Sequence, residues 1–144
     1  MTKVKKLNMT EEGLNRFFGP LEARIMDVLW SSGRLSIKEV QERLNRAAPI
    51  SFNAVMTVMN RLREKGLLRK TTEERGRYRV SLYEPVQTKE QFLTEQTKAL
   101  TFGLVREYGD IVLHHMIEAL EDADPNLIAK LQEKLDRMKS GKTP

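Results

Sequence analysis

The chain contains no cysteine. Disulfides, thiolate metal sites and cysteine nucleophiles are therefore excluded. Histidine is almost as scarce, with His114 and His115 the only two. They are adjacent, so on a helix they point about 100° apart and do not chelate one metal together. Glu118, Glu121, Asp122 and Asp124 read as a helix end and its cap rather than a metal site. No apolar run approaches the ~18 residues of a membrane span. The basic start, Met1-Thr2-Lys3-Val4-Lys5-Lys6, has no apolar stretch behind it, so no secretory signal is expected. Glycine-rich phosphate loops and nucleophile motifs are also missing. The expectation is a cytoplasmic protein with no cofactor, no membrane contact and no enzymatic activity.

What is there is a foldable, lopsided chain. Of its 144 residues, 40% are hydrophobic and 31% charged, which supports a packed core and argues against disorder. The net charge of +5 is unevenly spread. Residues 1–83 hold 17 Lys/Arg against 9 Asp/Glu, and residues 84–144 hold 8 against 11, so the halves carry +8 and −3. A basic first half suits a polyanion partner.

Patterning predicts mainly helix with one small hairpin. Gly19-Pro20 starts a first helix, with Leu21, Ile25, Val28 and Leu29 on one face, and Ser31-Ser32-Gly33 ends it. Ser36-Ile37-Lys38-Glu39 is a capping box for a second helix carrying Ile37, Val40 and Leu44. Ala48-Pro49 breaks it. Ser51 caps a third helix whose apolar face is Val55, Val58, Met59 and Leu62, with Gly66 as its stop. The period then changes. Leu67 to Lys70 reads as a strand, Thr71 to Gly76 as a polar tip, and Tyr78, Val80 and Leu82 as a returning strand ended by Pro85. Three short helices and a hairpin are the order of a winged helix-turn-helix. The expected segments are a flexible basic arm (1–17), the winged domain (18–86), a helical region (87–139) and a frayed tail (140–144).

At about 100° per residue, the third helix places Asn53, Thr57, Asn60 and Arg61 opposite its apolar face, flanked by Ala54 and Met56. Solvated helix faces favour Lys and Glu, whereas this set is short and polar. Asn pairs bidentately with adenine, Arg with guanine, and Thr or Ala touches a thymine methyl. The second helix would cross the DNA backbone, with a phosphate near Ser36 and Lys38, and Ser51 begins the reading helix. Arg75, Arg77 and Arg79 recur at two-residue spacing around Gly76. On an extended strand they share one face suited to phosphates or a minor groove. Arg69 and Lys70 enlarge that patch, and Glu73 and Glu74 offset it.

The string from Ser51 to Gly66, Ser-Phe-Asn-Ala-Val-Met-Thr-Val-Met-Asn-Arg-Leu-Arg-Glu-Lys-Gly, resembles the recognition helix of the penicillinase-repressor (BlaI/MecI/CopY) family. Leu21 to Trp30 is similar to the first helix of that family, Arg75-Gly76 and Tyr83-Glu84-Pro85 to its wing and exit, and Thr88 to Leu93 to the start of its dimerisation region. The resemblance implies a dimeric bacterial repressor on a palindromic operator in double-stranded DNA. In some members a sensor-triggered protease cuts the dimerisation region, and in the copper-responsive branch clustered cysteines bind metal. Three departures stand out. Ala54 replaces a frequent Thr, cysteine is absent, and there is no Asn-Phe pair of the kind cut in β-lactam-responsive members. The nearest features are Thr101-Phe102 and Tyr108-Gly109-Asp110.

The second half is too short to stand alone. The 51 residues from 88 to 138 fall below the ~60 that struggle to bury a core. A twofold partner is the economical solution. The contact is expected on Phe92, Leu100, Leu104, Ile111, Val112, Leu113, Met116, Ile117, Leu120, Leu131 and Leu135. Gly109 punctuates the first helix of this region, and Asp124-Pro125 caps its last. Two rival functions stay open on sequence alone: a winged helix used for protein–protein contact, and a repressor answering a small molecule.

Overall fold

The structure is a computed structural model and describes residues 7–9 and 11–141. Helix α1 (Pro20–Ser32) begins with proline at its first position, where the missing N–H costs no helical bond. The Glu22 carboxylate reaches back to accept from the Gly19 N–H at 3.0 Å. Helix α2 (Ile37–Asn45) carries the expected capping box. The Ser36 N–H donates to Glu39 Oε1 at 3.0 Å, and the Glu39 N–H donates to Ser36 Oγ at 3.2 Å. Helix α3 (Phe52–Glu64) starts at Ser51, whose Oγ accepts from the Ala54 N–H at 3.1 Å. It ends where Gly66 takes φ +80°, a conformation glycine adopts without strain.

Strands β1 (Leu68–Arg75) and β2 (Tyr78–Pro85) pair antiparallel, with Leu68 opposite Pro85 and Arg75 opposite Tyr78. The hairpin is longer than its sequence suggested. Residues 71–75, expected as part of a polar tip, complete β1, and the turn shrinks to Gly76-Arg77. Gly76 has φ +64° and Arg77 does not, as a type II′ turn requires. A third strand position was not foreseen. Leu35 pairs with Tyr83, each N–H donating to the other's carbonyl at 3.1 and 2.8 Å.

The chain divides into two compact units after Gln96. In the first, α1, α2 and α3 close around Ile25, Met26, Leu29, Val40, Leu44, Val55, Val58, Met59 and Leu62, all buried. Leu67, Leu68 and Tyr83 join from the hairpin. Helix α4 (Lys89–Glu121) begins in this unit. Phe92 is fully buried and stacks on Phe18 at 5.1 Å between centroids, with Trp30 at 5.5 Å and Phe17 edge-on at 5.9 Å. The Trp30 indole N–H donates to the Gln87 carbonyl at 3.0 Å. Phe92 is thus a core residue of the winged unit, which corrects its expected place at a dimer contact.

The expected flexible arm also needs correction. Gly13–Arg16 forms a short 3-10 helix. The Asn8 N–H donates to the Arg16 carbonyl at 2.7 Å, and Asn8 Nδ2 to the Asn15 carbonyl at 2.8 Å. Phe17 and Phe18 anchor this segment on the aromatic cluster. Residues 1–6 and 10 of that arm lie outside the described residues, as do residues 142–144 of the expected frayed tail.

In the second unit, α4 leaves helical geometry at Tyr108 (φ −131°, ψ 32°), one residue before the expected break at Gly109. Helix α5 (Pro125–Lys139) is capped by Asp124, which accepts from the Asn126 N–H at 2.8 Å. Among the described residues, none beyond Phe92 is buried.

One tie in the winged unit titrates. Lys65 donates to Glu22 Oε2 at 2.9 Å, joining the end of α3 to the start of α1. Burial pushes the Glu22 carboxyl up, but the Lys65 and Gly19 hydrogen bonds and the charges of Lys65 and Arg61 outweigh it and hold the pKa below its ordinary value. A depressed carboxylate stabilises the fold above its unfolded pKa of about 4.3 and loses that contribution as pH falls through the folded value. Glu22→Gln is therefore expected to be less stable than the wild type near about pH 7, with the gap closing below about pH 4. Urea unfolding across that range checks it. A gap that stays constant would show that Glu22 acts only by packing.

Candidate nucleic-acid interface

Burying Val55, Val58, Met59 and Leu62 fixes the rotation of α3. Asn53, Thr57 and Arg61 are then exposed on the opposite side. Their side chains make no hydrogen bond or ion pair among the described residues. Ala54 and Met56 flank them half-buried. The result is a short polar face whose donors and acceptors are unused. Lys38 is exposed near the start of α2, and Ser36 and Ser51 both accept backbone N–H bonds as caps. Each hydroxyl proton is left to donate elsewhere.

Asn60 differs from its neighbours. It is half-buried, and its Oδ1 accepts the Tyr83 hydroxyl at 3.0 Å. Helix α3 is thereby joined to β2. Sequence spacing placed Asn60 on the outward face but could not see this bond, because its partner lies 23 residues away.

The three wing arginines do not share one strand or one face. Arg75 ends β1, Arg77 sits in the turn, and Arg79 lies on β2. Cross-strand partners share a face and successive residues alternate. Arg75 pairs with Tyr78 and Arg79 with Glu74, so Arg75 and Arg79 project from opposite faces. The turn at Gly76 breaks the two-residue rule that the sequence reading assumed. Carboxylates also hold two of the three. Arg75 lies 3.8 Å from Glu39 and 3.7 Å from Glu73, and Arg79 lies 3.7 Å from Glu74. Arg77 is exposed at the tip and has no ion pair among the described residues.

Glu39 therefore has two roles. It closes the α2 capping box and faces the wing. The hydrogen bond from the Ser36 N–H, with help from the Arg75 and Arg43 charges, holds its pKa below the ordinary value against the effect of burial. Further back, Arg69 pairs with Glu84 at 3.1 Å, and the Lys70 ammonium lies 6.0 Å from the Tyr83 ring centroid. Among the described residues no cluster of three or more His, Asp or Glu is arranged to hold a metal ion. None of their helices is long and apolar enough to cross a membrane.

In the second unit Leu100, Leu104, Ile111, Leu113, Met116, Ile117, Leu131 and Leu135 are exposed, and Val112 and Leu120 are half-buried. His114 and His115 approach the same Glu118 oxygen at 3.4 and 3.1 Å.

No curated protein matches the chain. Among solved structures, the DNA-binding domain of the repressor BlaI is similar at 24% identity and TM-score 0.42, covering 62% of this chain and 90% of its own. PadR of Bacillus subtilis, solved in complex with operator DNA, is similar at 14% identity and TM-score 0.46, covering 88% and 80%. Residues 18–137, well over half of the chain, match the family described as penicillinase repressor. The fold is a winged helix with a helical second unit, and the chain belongs to the penicillinase repressor family.

Proposed function

We propose that this protein is a DNA-binding transcriptional repressor that holds a palindromic operator as a homodimer. The observation that carries the reading is the outward face of α3. Asn53, Thr57 and Arg61 are exposed with unused hydrogen-bonding groups, opposite four buried apolar residues. In the major groove, Arg61 would pair with guanine, Asn53 with adenine, and Thr57 with a thymine methyl, with Ala54 and Met56 beside them. Ser36, Lys38 and Ser51 would meet phosphates at the edges of the helix-turn-helix. Arg77 would supply the wing's free charge, with Arg75 and Arg79 contributing as phosphates displace their carboxylates. Membership of the penicillinase repressor family supports repression as the outcome.

The winged domain (18–86) is the reading part in this account, and the helical region (87–139) the pairing part. The support for pairing is the run of exposed apolar side chains beyond Leu100. A second copy would cover both sets at once and place two α3 helices one helical turn apart, or a multiple of it.

Arg61 and Arg77 separate the two kinds of DNA contact. Arg61→Ala is expected to weaken binding to the preferred site by about 1–3 kcal/mol and to relax preference at one position per half-site. Arg77→Ala is expected to weaken binding to every duplex alike and to flatten the salt slope by about one. Titrating both variants on specific and random duplexes over a salt series checks this. Equal loss from Arg61→Ala on both duplexes would remove its base-reading role.

A further inference from the structure

Tyr83 is the largest fully buried side chain of the fold, at 1% exposure, and its hydroxyl ends on the reading helix. Its backbone is held by two hydrogen bonds to Leu35, so the ring has a fixed origin. A buried phenol needs a partner for its O–H. Among the described residues that partner is Asn60 Oδ1, at 3.0 Å. Were the amide turned about, Nδ2 would donate to the phenol oxygen and the phenol proton would be stranded, which is costly in a buried place. The bond therefore sets which end of the amide faces the protein.

We infer that Tyr83 is a positioning residue for DNA reading: it turns the Asn60 amide so that the carbonyl is engaged inward and the NH2 group is presented to DNA as a donor. The inference rests on the repressor reading above and sharpens it. Bidentate pairing with adenine uses both ends of an asparagine amide. Oδ1 keeps a second lone pair but is turned inward on Tyr83, so the group that Asn60 presents outward is its NH2 donor. Its target is a hydrogen-bond acceptor on the operator: guanine O6 or N7, thymine O4, or a phosphate oxygen. Of the two asparagines on this face, Asn53, whose amide makes no hydrogen bond among the described residues, keeps both ends for adenine. The bond also joins the wing strand β2 to α3, so the Asn60 amide and the wing are held by one side chain.

Tyr83→Phe removes the hydroxyl and keeps the ring, and Asn60→Asp keeps an acceptor for Tyr83 while removing the outward donor. The test measures affinity for the preferred site, its single-base variants and a random duplex, for the wild type, both variants, Asn60→Ala and the Tyr83→Phe/Asn60→Ala double variant. Tyr83→Phe is expected to weaken preferred-site binding roughly threefold to tenfold. It should relax the same position that Asn60→Ala relaxes and add little in the double variant. Asn60→Asp should lose at least as much as Asn60→Ala. If those shared losses fall on one base position with random-duplex binding unchanged, the acceptor is a base edge. If they fall on all duplexes alike, it is a phosphate. Either supports positioning by Tyr83. Unchanged affinity and preference in Tyr83→Phe, or losses that simply add in the double variant, would overturn the inference while leaving the repressor reading intact. A wild type that binds no duplex would overturn both.

Discussion

Phe92→Ala is expected to lower the stability of the winged unit by about 3–5 kcal/mol, the range for deleting a fully buried aromatic side chain. The reason is local. Phe92 lies among Phe17, Phe18 and Trp30, and none of the four rings comes from α2 or α3. Removing the central ring leaves a cavity bounded by aromatic edges that cannot collapse without moving the chain near Phe17 or the start of α4. Urea unfolding followed by tryptophan fluorescence reads the change at the cluster itself, since Trp30 is the only tryptophan. A loss under about 1 kcal/mol would mean that Phe92 is dispensable to this core. A loss confined to dimer strength, with the winged unit unchanged, would return Phe92 to the pairing surface.

The second large effect is on pairing. Leu113 and Ile117 are one helical turn apart on α4, and both are more than half exposed. Aspartate at both positions would place charge where the proposed dimer buries apolar surface. The double variant Leu113→Asp/Ile117→Asp is expected to be monomeric by sedimentation. Its affinity for the whole operator should fall by about 100-fold to 10,000-fold, because two linked half-site contacts become two independent ones. Folding of the winged unit should be unaffected, since no described residue beyond Phe92 is buried. A variant that still sediments as a dimer would place the contact elsewhere.

The parts of the fold that were legible in the sequence are those with local causes. Ser36 and Glu39 close a capping box within four residues, and Pro20 and Ser51 mark helix starts by their own chemistry. The 3.6-residue recurrence of Val55, Val58, Met59 and Leu62 fixes both the helix and its outward face, so Asn53, Thr57 and Arg61 could be placed without coordinates. The parts that were not legible depend on partners distant in sequence. Thr71 to Arg75 is polar throughout because most of that stretch is exposed, so the alternation that reveals a strand is missing. The two-residue arginine spacing was sound for a strand and failed at the Gly76 turn. Phe92 opens an amphipathic helix, and periodicity says that such a residue is buried without saying by what. Leu35 pairing with Tyr83, and Tyr83 bonding Asn60, are contacts across 48 and 23 residues that no local pattern encodes.

Selection of bound duplexes from a random DNA pool, at a stated salt concentration, tests the central claim most directly. The account predicts a palindromic site with half-sites about one helical turn apart or a multiple of it. Within each half-site, one position should be relaxed by Arg61→Ala. A pool that enriches no sequence, with binding that is weak and indifferent to salt, would contradict it.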